Sequence, residues 1–274
     1  MRVKKYSLNI SDHQFNVKGY WLDQIADFEK PVDYPVVVIC PGGGFTFHSE
    51  REEEPIALKF SSFGMHVVVL EYQLMEDQPV YPLAIQEMGK VIDWINKQPR
   101  SRHIDKDKII LAGFSAGGHI VAAYNGVATD IKLRQKYQLD QYRGQHAAVI
   151  LGYPVIDMTI NGSFPENKNI LPQITQDRDL LKAQDLLNEN SKPAFIWQTR
   201  TDKLVYLINT LMYVQKMDQL GLSVEYHVFG SGIHGLALGT YVTEKPGKTK
   251  YLNVWASKWI NLAFNWLEMM KFLD

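Results

Sequence analysis

With 274 residues, 46% of them apolar and 22% charged, the chain has the size and composition of one globular unit with a large buried core. Its 29 basic and 30 acidic side chains nearly balance, leaving no electrostatic reason to expect nucleic acid or an anionic membrane as partner. No run approaches the ~20 apolar residues of a bilayer span. The one cysteine, Cys40, excludes an intrachain disulfide, and the expected setting is cytoplasmic.

From Tyr6 to Leu22 apolar and polar residues alternate, which predicts a half-exposed antiparallel hairpin. Val36–Cys40, His66–Leu70, Lys108–Ala112, Ala147–Leu151, Ala194–Gln198 and Val224–Phe229 are short β-branched or aromatic runs. They suit strands covered on both faces. Cys40 ends the first of these runs and reads as a small buried hydrophobe. Helical spacing appears between the runs. Pro55–Ser62 opens with proline in its first turn, and Leu83, Val91, Ile92 and Ile95 form a stripe that ends near Gln98. Further helices begin at Ile120–Tyr124, span Leu207–Leu220, and close the chain over Val254–Phe272 with Trp255, Trp259, Leu262 and Trp266. Such alternation implies an α/β fold, a mostly parallel central sheet with helices on both faces. Residues 157–192 interrupt the rhythm and read either as a lid or cap insertion or as a surface excursion without function.

Gly113-Phe114-Ser115-Ala116-Gly117 lies between the Lys108–Ala112 strand and a helix, the context of a nucleophile elbow. So sharp a turn requires small residues two before and two after the serine. The helix amino end also places the Ala116 N–H where an oxyanion would form. Upstream, Pro41-Gly42-Gly43-Gly44-Phe45 follows a strand and lets backbone N–H groups approach a substrate closely. It is no dinucleotide fingerprint, because Phe47 stands at the third glycine position, and no P-loop, because the Lys-Ser/Thr pair is missing.

A serine hydroxyl needs a base. Among eight histidines His234 is best placed, in Gly230-Ser231-Gly232-Ile233-His234-Gly235 just past the last strand. His119 reads as a structural helix residue and His48 as a loop or substrate contact. His13, His66, His103, His146 and His227 read as ordinary residues. For the carboxylate that orients the base, Asp202 follows the Ala194–Gln198 strand. The rival Asp157 reads instead as a cap for the loop leaving the sheet. The run Glu50-Arg51-Glu52-Glu53-Glu54 reads as solvated carboxylates complementing a helix amino end, with a polar contact to a sugar-like substrate as the alternative.

Cys40–Phe45, Gly113–His119, Thr201–Val205 and His234-Gly235-Leu236 together resemble the acetyl-esterase/lipase group of α/β-hydrolases related to hormone-sensitive lipase. The likeness is strongest to its bacterial sugar and xylan acetyl esterases. It implies the α/β-hydrolase fold, a triad of Ser115, Asp202 and His234, and an oxyanion hole from the N–H groups of Gly43, Gly44 and Ala116. The implied reaction is hydrolysis of a short-chain, acetyl-type ester, of acetylated saccharides by resemblance, with no metal or organic cofactor. Pro41 departs from the family's histidine before the glycines, so a hydrogen bond that steadies the loop is missing or replaced. Tyr206 stands where relatives often carry proline, and a short β-like start stands where longer relatives carry a helical cap. Two other readings share the scaffold. One is a peptidase of prolyl-oligopeptidase type, though no propeller-like sequence is present. The other is a non-catalytic ligand binder, a type that commonly lacks the base histidine.

Overall fold

The alternating amino-terminal residues close as a hairpin. β1 (Arg2–Ile10) and β2 (His13–Trp21) pair antiparallel, from Arg2 opposite Trp21 to Ile10 opposite His13. Six further strands follow in the computed structural model, which describes residues 1–76 and 78–273: β3 (Tyr34–Cys40), β4 (His66–Glu71), β5 (Ile104–Phe114), β6 (Ala148–Gly152), β7 (Ala194–Thr199) and β8 (Val224–Phe229). Among the described residues these make one sheet in the order β1-β2-β4-β3-β5-β6-β7-β8. β2 runs antiparallel to β4, and every pairing from β4 through β8 is parallel.

The helices are α1 (Glu54–Ser61), α2 (Leu83–Asn96), α3 (Ser115–Val127), α4 (Ile131–Lys136), α5 (Leu171–Ile174), α6 (Ile208–Gln219) and α7 (Trp259–Met269). Period-two alternation in the strands divides the core. Val36, Val38 and Cys40 pack with Met88, Ile92, Val121 and Met217 of α2, α3 and α6. Val37 and Ile39 face the other way, onto Ile56 and Phe60 of α1 and Trp259 and Trp266 of α7. Both faces are thus covered, which is why these strands read as continuous apolar runs. Cys40 is fully buried, and burial pushes its thiol well above the usual range.

Two expectations need amendment. Val224–Phe229 is one of the two edge strands and only half buried, with Val228 exposed, because among the described residues only β7 pairs with it. The closing helix starts at Trp259, five residues later than its apolar spacing predicts, and a 3₁₀ turn (Ala256–Lys258) precedes it. Residues 157–192 include two successive 3₁₀ turns, Arg178–Leu181 and Ala183–Leu186. Their leucines are buried in the same core as α3.

The order of the strands positions the site. After β3 the chain crosses to β4 on one side, and β5 then inserts on the other side of β3. That reversal opens a crevice at the carboxyl ends of β3 and β5, the usual ligand position in such sheets. Cys40 pairs with Gly113 there, so the glycine loop and the elbow leave the sheet side by side.

Candidate active site

Ser115 sits at φ +52°, a left-handed conformation that a serine adopts only under constraint. The constraint is the direct passage from β5 into α3, which begins at Ser115 itself. A Cβ at Gly117 would lie 2.2 Å from the Cys40 carbonyl oxygen and 2.4 Å from that of Pro41, and one at Gly113 would lie 2.5 Å from the Gly117 oxygen. The smallness expected on both sides of the serine is therefore backbone against backbone. Gly117→Ala is expected to cost about 1–3 kcal/mol or more by overpacking. In thermal denaturation its midpoint should fall by several degrees, and an unchanged midpoint would contradict the close approach.

The structure brings together the three side chains singled out in the sequence. Ser115 Oγ lies 2.7 Å from His234 Nε2, and His234 Nδ1 lies 2.7 Å from Asp202 Oδ2. The carboxylate can only accept, so Nδ1 carries the imidazole proton and Nε2 is left to accept from the serine hydroxyl. Asp202 is itself fixed, its Oδ1 accepting from the N–H groups of Leu204 (2.9 Å) and Val205 (3.0 Å). The ring of Tyr153 meets the imidazole edge to face at 5.1 Å.

The glycine loop folds back on itself. Gly43 has φ +129°, and its carbonyl accepts from the N–H groups of Thr46 and Phe47. Gly42 accepts from Ser49. A Cβ at Gly43 would fall 1.8 Å from the Phe47 oxygen, so only glycine fits. The N–H groups of Gly43, Gly44 and Ala116 meet no acceptor among the described residues. Gly43, Gly44, Ser115 and His234 line one cavity of about 1000 Å³. Its walls are Phe47, Met75, Phe164 and Ile170, and its cationic side chains are Arg51, Lys203 and Lys250. Phe164 and Ile170 come from the 157–192 excursion.

The rival residues lie elsewhere. Asp157 accepts from the Thr159 N–H (2.8 Å) and hydroxyl (2.6 Å) and from Gln184, capping its turn. His119 is buried in α3 with Nδ1 2.6 Å from the Tyr81 hydroxyl, and desolvation lowers its pKa to about 4. His48 makes a loop contact, to the Tyr72 carbonyl at 2.9 Å, and is not part of the cavity lining.

In the acidic run the sequence reading fails at Glu52, while Glu50 and Glu54 are exposed and Glu54 lies in the first turn of α1. Glu52 is not solvated. It ends a 3₁₀ turn (Glu50–Glu52), is 2% exposed, and accepts from the Gly42 N–H and the Tyr153 hydroxyl, each at 2.6 Å. Burial raises its pKa above the ordinary glutamate value, against the opposing effect of those two hydrogen bonds. Arg51 reaches across to the histidine loop, donating to the carbonyls of Gly235 (3.0 Å) and Thr243 (2.6 Å) beneath the ring of Tyr251. Five charges in a row leading into a helix carry a solvated signature, and the one contrary sign in the sequence is Pro41, whose side chain has no hydrogen-bonding group to hold the glycine loop.

Fold and elbow together define an α/β-hydrolase. The chain belongs to the BD-FAE family, whose model matches residues 22–217. It is similar over 100% of its length to the crystal structure of carboxylesterase Cest-2923 from Lactobacillus plantarum WCFS1, covering 99% of that chain at 57% identity and a TM-score of 0.97. A sugar hydrolase (YeeB) from Lactococcus lactis is 26% identical, with 98% of each chain covered and a TM-score of 0.81. Endo-1,4-beta-xylanase B of Butyrivibrio fibrisolvens is 27% identical over 206 residues, 74% of this chain but 32% of that protein. The chain thus spans under a third of that curated relative's length.

Proposed function

We propose that this protein is a serine carboxylesterase that hydrolyses short-chain, acetyl-type esters through an acyl-enzyme. The observation that carries the reading is the unbroken hydrogen-bonded chain from Ser115 through His234 to Asp202, opening on a cavity beside the Gly43, Gly44 and Ala116 N–H groups, which meet no acceptor among the described residues. The name of the 57%-identical carboxylesterase supports ester hydrolysis.

Ser115 Oγ attacks the ester carbonyl while His234 Nε2 takes its proton. The N–H groups of Gly43, Gly44 and Ala116 hold the developing oxyanion, and one such donor is worth about 2.7–4 kcal/mol. The tetrahedral adduct expels the alcohol, which leaves with the proton from His234. Water, deprotonated by the same imidazole, then cleaves the acyl-serine and restores the free hydroxyl. Asp202 stays ionised and stabilises the imidazolium. None of these steps calls on a metal or organic cofactor.

For the alcohol we propose an acylated saccharide, supported by the sugar hydrolase and xylanase names among the relatives. Residues 157–192 act as a partial cap, supported by Phe164 and Ile170 in the cavity wall. A cytoplasmic setting, supported by the single buried thiol, completes the reading. The test is a panel of p-nitrophenyl esters of increasing acyl length, acetylated oligosaccharides and a proline amide, with fluorophosphonate labelling mapped by peptide sequencing. Hydrolysis of the acetyl esters with label on Ser115 is expected. Amide cleavage in preference to esters, or no labelling of the folded protein, would overturn the reading.

A further inference from the structure

The peptide unit between Pro41 and Gly42 is gripped at both ends. Its carbonyl oxygen accepts from the Tyr72 hydroxyl at 2.8 Å, and its N–H donates to Glu52 Oε2 at 2.6 Å. The second carboxylate oxygen, Oε1, accepts from the Tyr153 hydroxyl, which in turn accepts from the Ala237 N–H at 3.0 Å. The same Tyr153 ring lies edge-on against the His234 imidazole. Gly42 is wedged between Glu52 and the serine, since a Cβ there would lie 2.7 Å from Glu52 Oε2 and 2.9 Å from Ser115 Cβ. A buried glutamate therefore joins the glycine loop to the tyrosine that packs on the base.

We propose that Glu52 is a positioning residue for ester hydrolysis, holding the Gly42 peptide so that the Gly43 and Gly44 N–H groups stay aimed at the oxyanion, and holding Tyr153 against His234. This rests on the serine-esterase reading above. Two donors converge on two oxygens, an arrangement only the carboxylate satisfies fully. A glutamine of the same shape presents one oxygen and one NH₂. If its oxygen keeps Gly42, its amide faces Tyr153, whose hydroxyl proton then loses its acceptor. Rotated, the amide opposes the Gly42 N–H. In either case one link of the network fails while the volume is unchanged.

A positioning role separates from a structural one through stability. Glu52 faces the Tyr153 hydroxyl, the His234 ring, the Arg51 guanidinium and the Gly42 N–H, yet burial still raises its pKa. A raised folded value means the wild type gives up stability as pH climbs from the unfolded value of 4.5 through the higher folded one. Glu52→Gln lacks that penalty but leaves one buried donor without its acceptor, so the two effects oppose and its melting midpoint at neutral pH should stay within a few degrees of the wild type.

The experiment measures kcat and KM on p-nitrophenyl acetate, the inactivation rate by diethyl p-nitrophenyl phosphate, and the melting midpoint, for wild type, Glu52→Gln, Tyr153→Phe and Ser115→Ala. For Glu52→Gln we expect kcat to fall about tenfold and inactivation to slow in parallel, with KM within twofold and a melting midpoint within a few degrees of the wild type, so that the protein is folded at the assay temperature. Tyr153→Phe removes one link and should lose about threefold in kcat, which keeps the proposal testable if Glu52→Gln does not fold. Wild-type kcat in the folded variants, or a loss that only tracks unfolded protein, overturns the positioning role while Ser115→Ala remains inactive. Wild-type turnover by Ser115→Ala would instead overturn the esterase reading itself.

Discussion

Replacing Ser115 by alanine is expected to lower kcat on p-nitrophenyl acetate by at least ~10⁴-fold, about 5.5 kcal/mol of transition-state stabilisation. Cys40 is no substitute, because it is fully buried and burial pushes its thiol well above the usual range. The fold should be indifferent to the change. The hydroxyl's partner is His234 Nε2, which borders the cavity and can take water in its place, so no buried group is orphaned. Alanine retains the Cβ and pays the same left-handed backbone cost as serine at φ +52°. The melting midpoint should therefore stay within a few degrees of the wild type. Turnover within tenfold of wild type, measured on purified folded protein, would remove the acyl-enzyme from consideration.

Asp202→Asn should cost about as much through a different cause. Asp202 Oδ1 already accepts from two backbone N–H groups, Leu204 and Val205, at 2.9 and 3.0 Å. An asparagine must keep its one oxygen there, since turning the amide would set NH₂ against two donors. Its NH₂ then faces His234 Nδ1, now 2.7 Å from Asp202 Oδ2. The imidazole can answer only by moving its proton to Nε2, which leaves nothing to accept from Ser115. A comparable tautomer trap in serine proteases lowers kcat by ~10⁴, and the same order is expected here with KM little changed. Asp157→Asn is the control. Its carboxylate holds Thr159 and Gln184 and should leave kcat within twofold. Equal losses in the two variants would mean that the carboxylate assignment is wrong.

The parts of the fold that could be read from the chain were those in which neighbours in sequence carry the whole signal. Five of the six apolar runs marked parallel strands because both faces of the sheet are covered there, and five residues around Ser115 marked the elbow because its sharp turn admits only small side chains on either side. His234 and Asp202 could be named because each follows a strand and strand ends meet at one edge. The bounds of α7 and the 3₁₀ character of 178–186 were not legible, since apolar spacing registers burial and not hydrogen-bond geometry.

What the sequence determined by itself was a class of chemistry: a serine at a strand-to-helix elbow, with histidine and aspartate in the order this architecture uses. Only the tertiary structure decided that Glu52 is buried rather than solvated, that it tethers Gly42 in a loop carrying proline in place of histidine, and that Tyr153 links it to the base. The physical reason is that desolvation depends on what lies around a group in space. Glu52 lies 101 positions before Tyr153 in the chain, and nothing in its charged neighbours records that encounter.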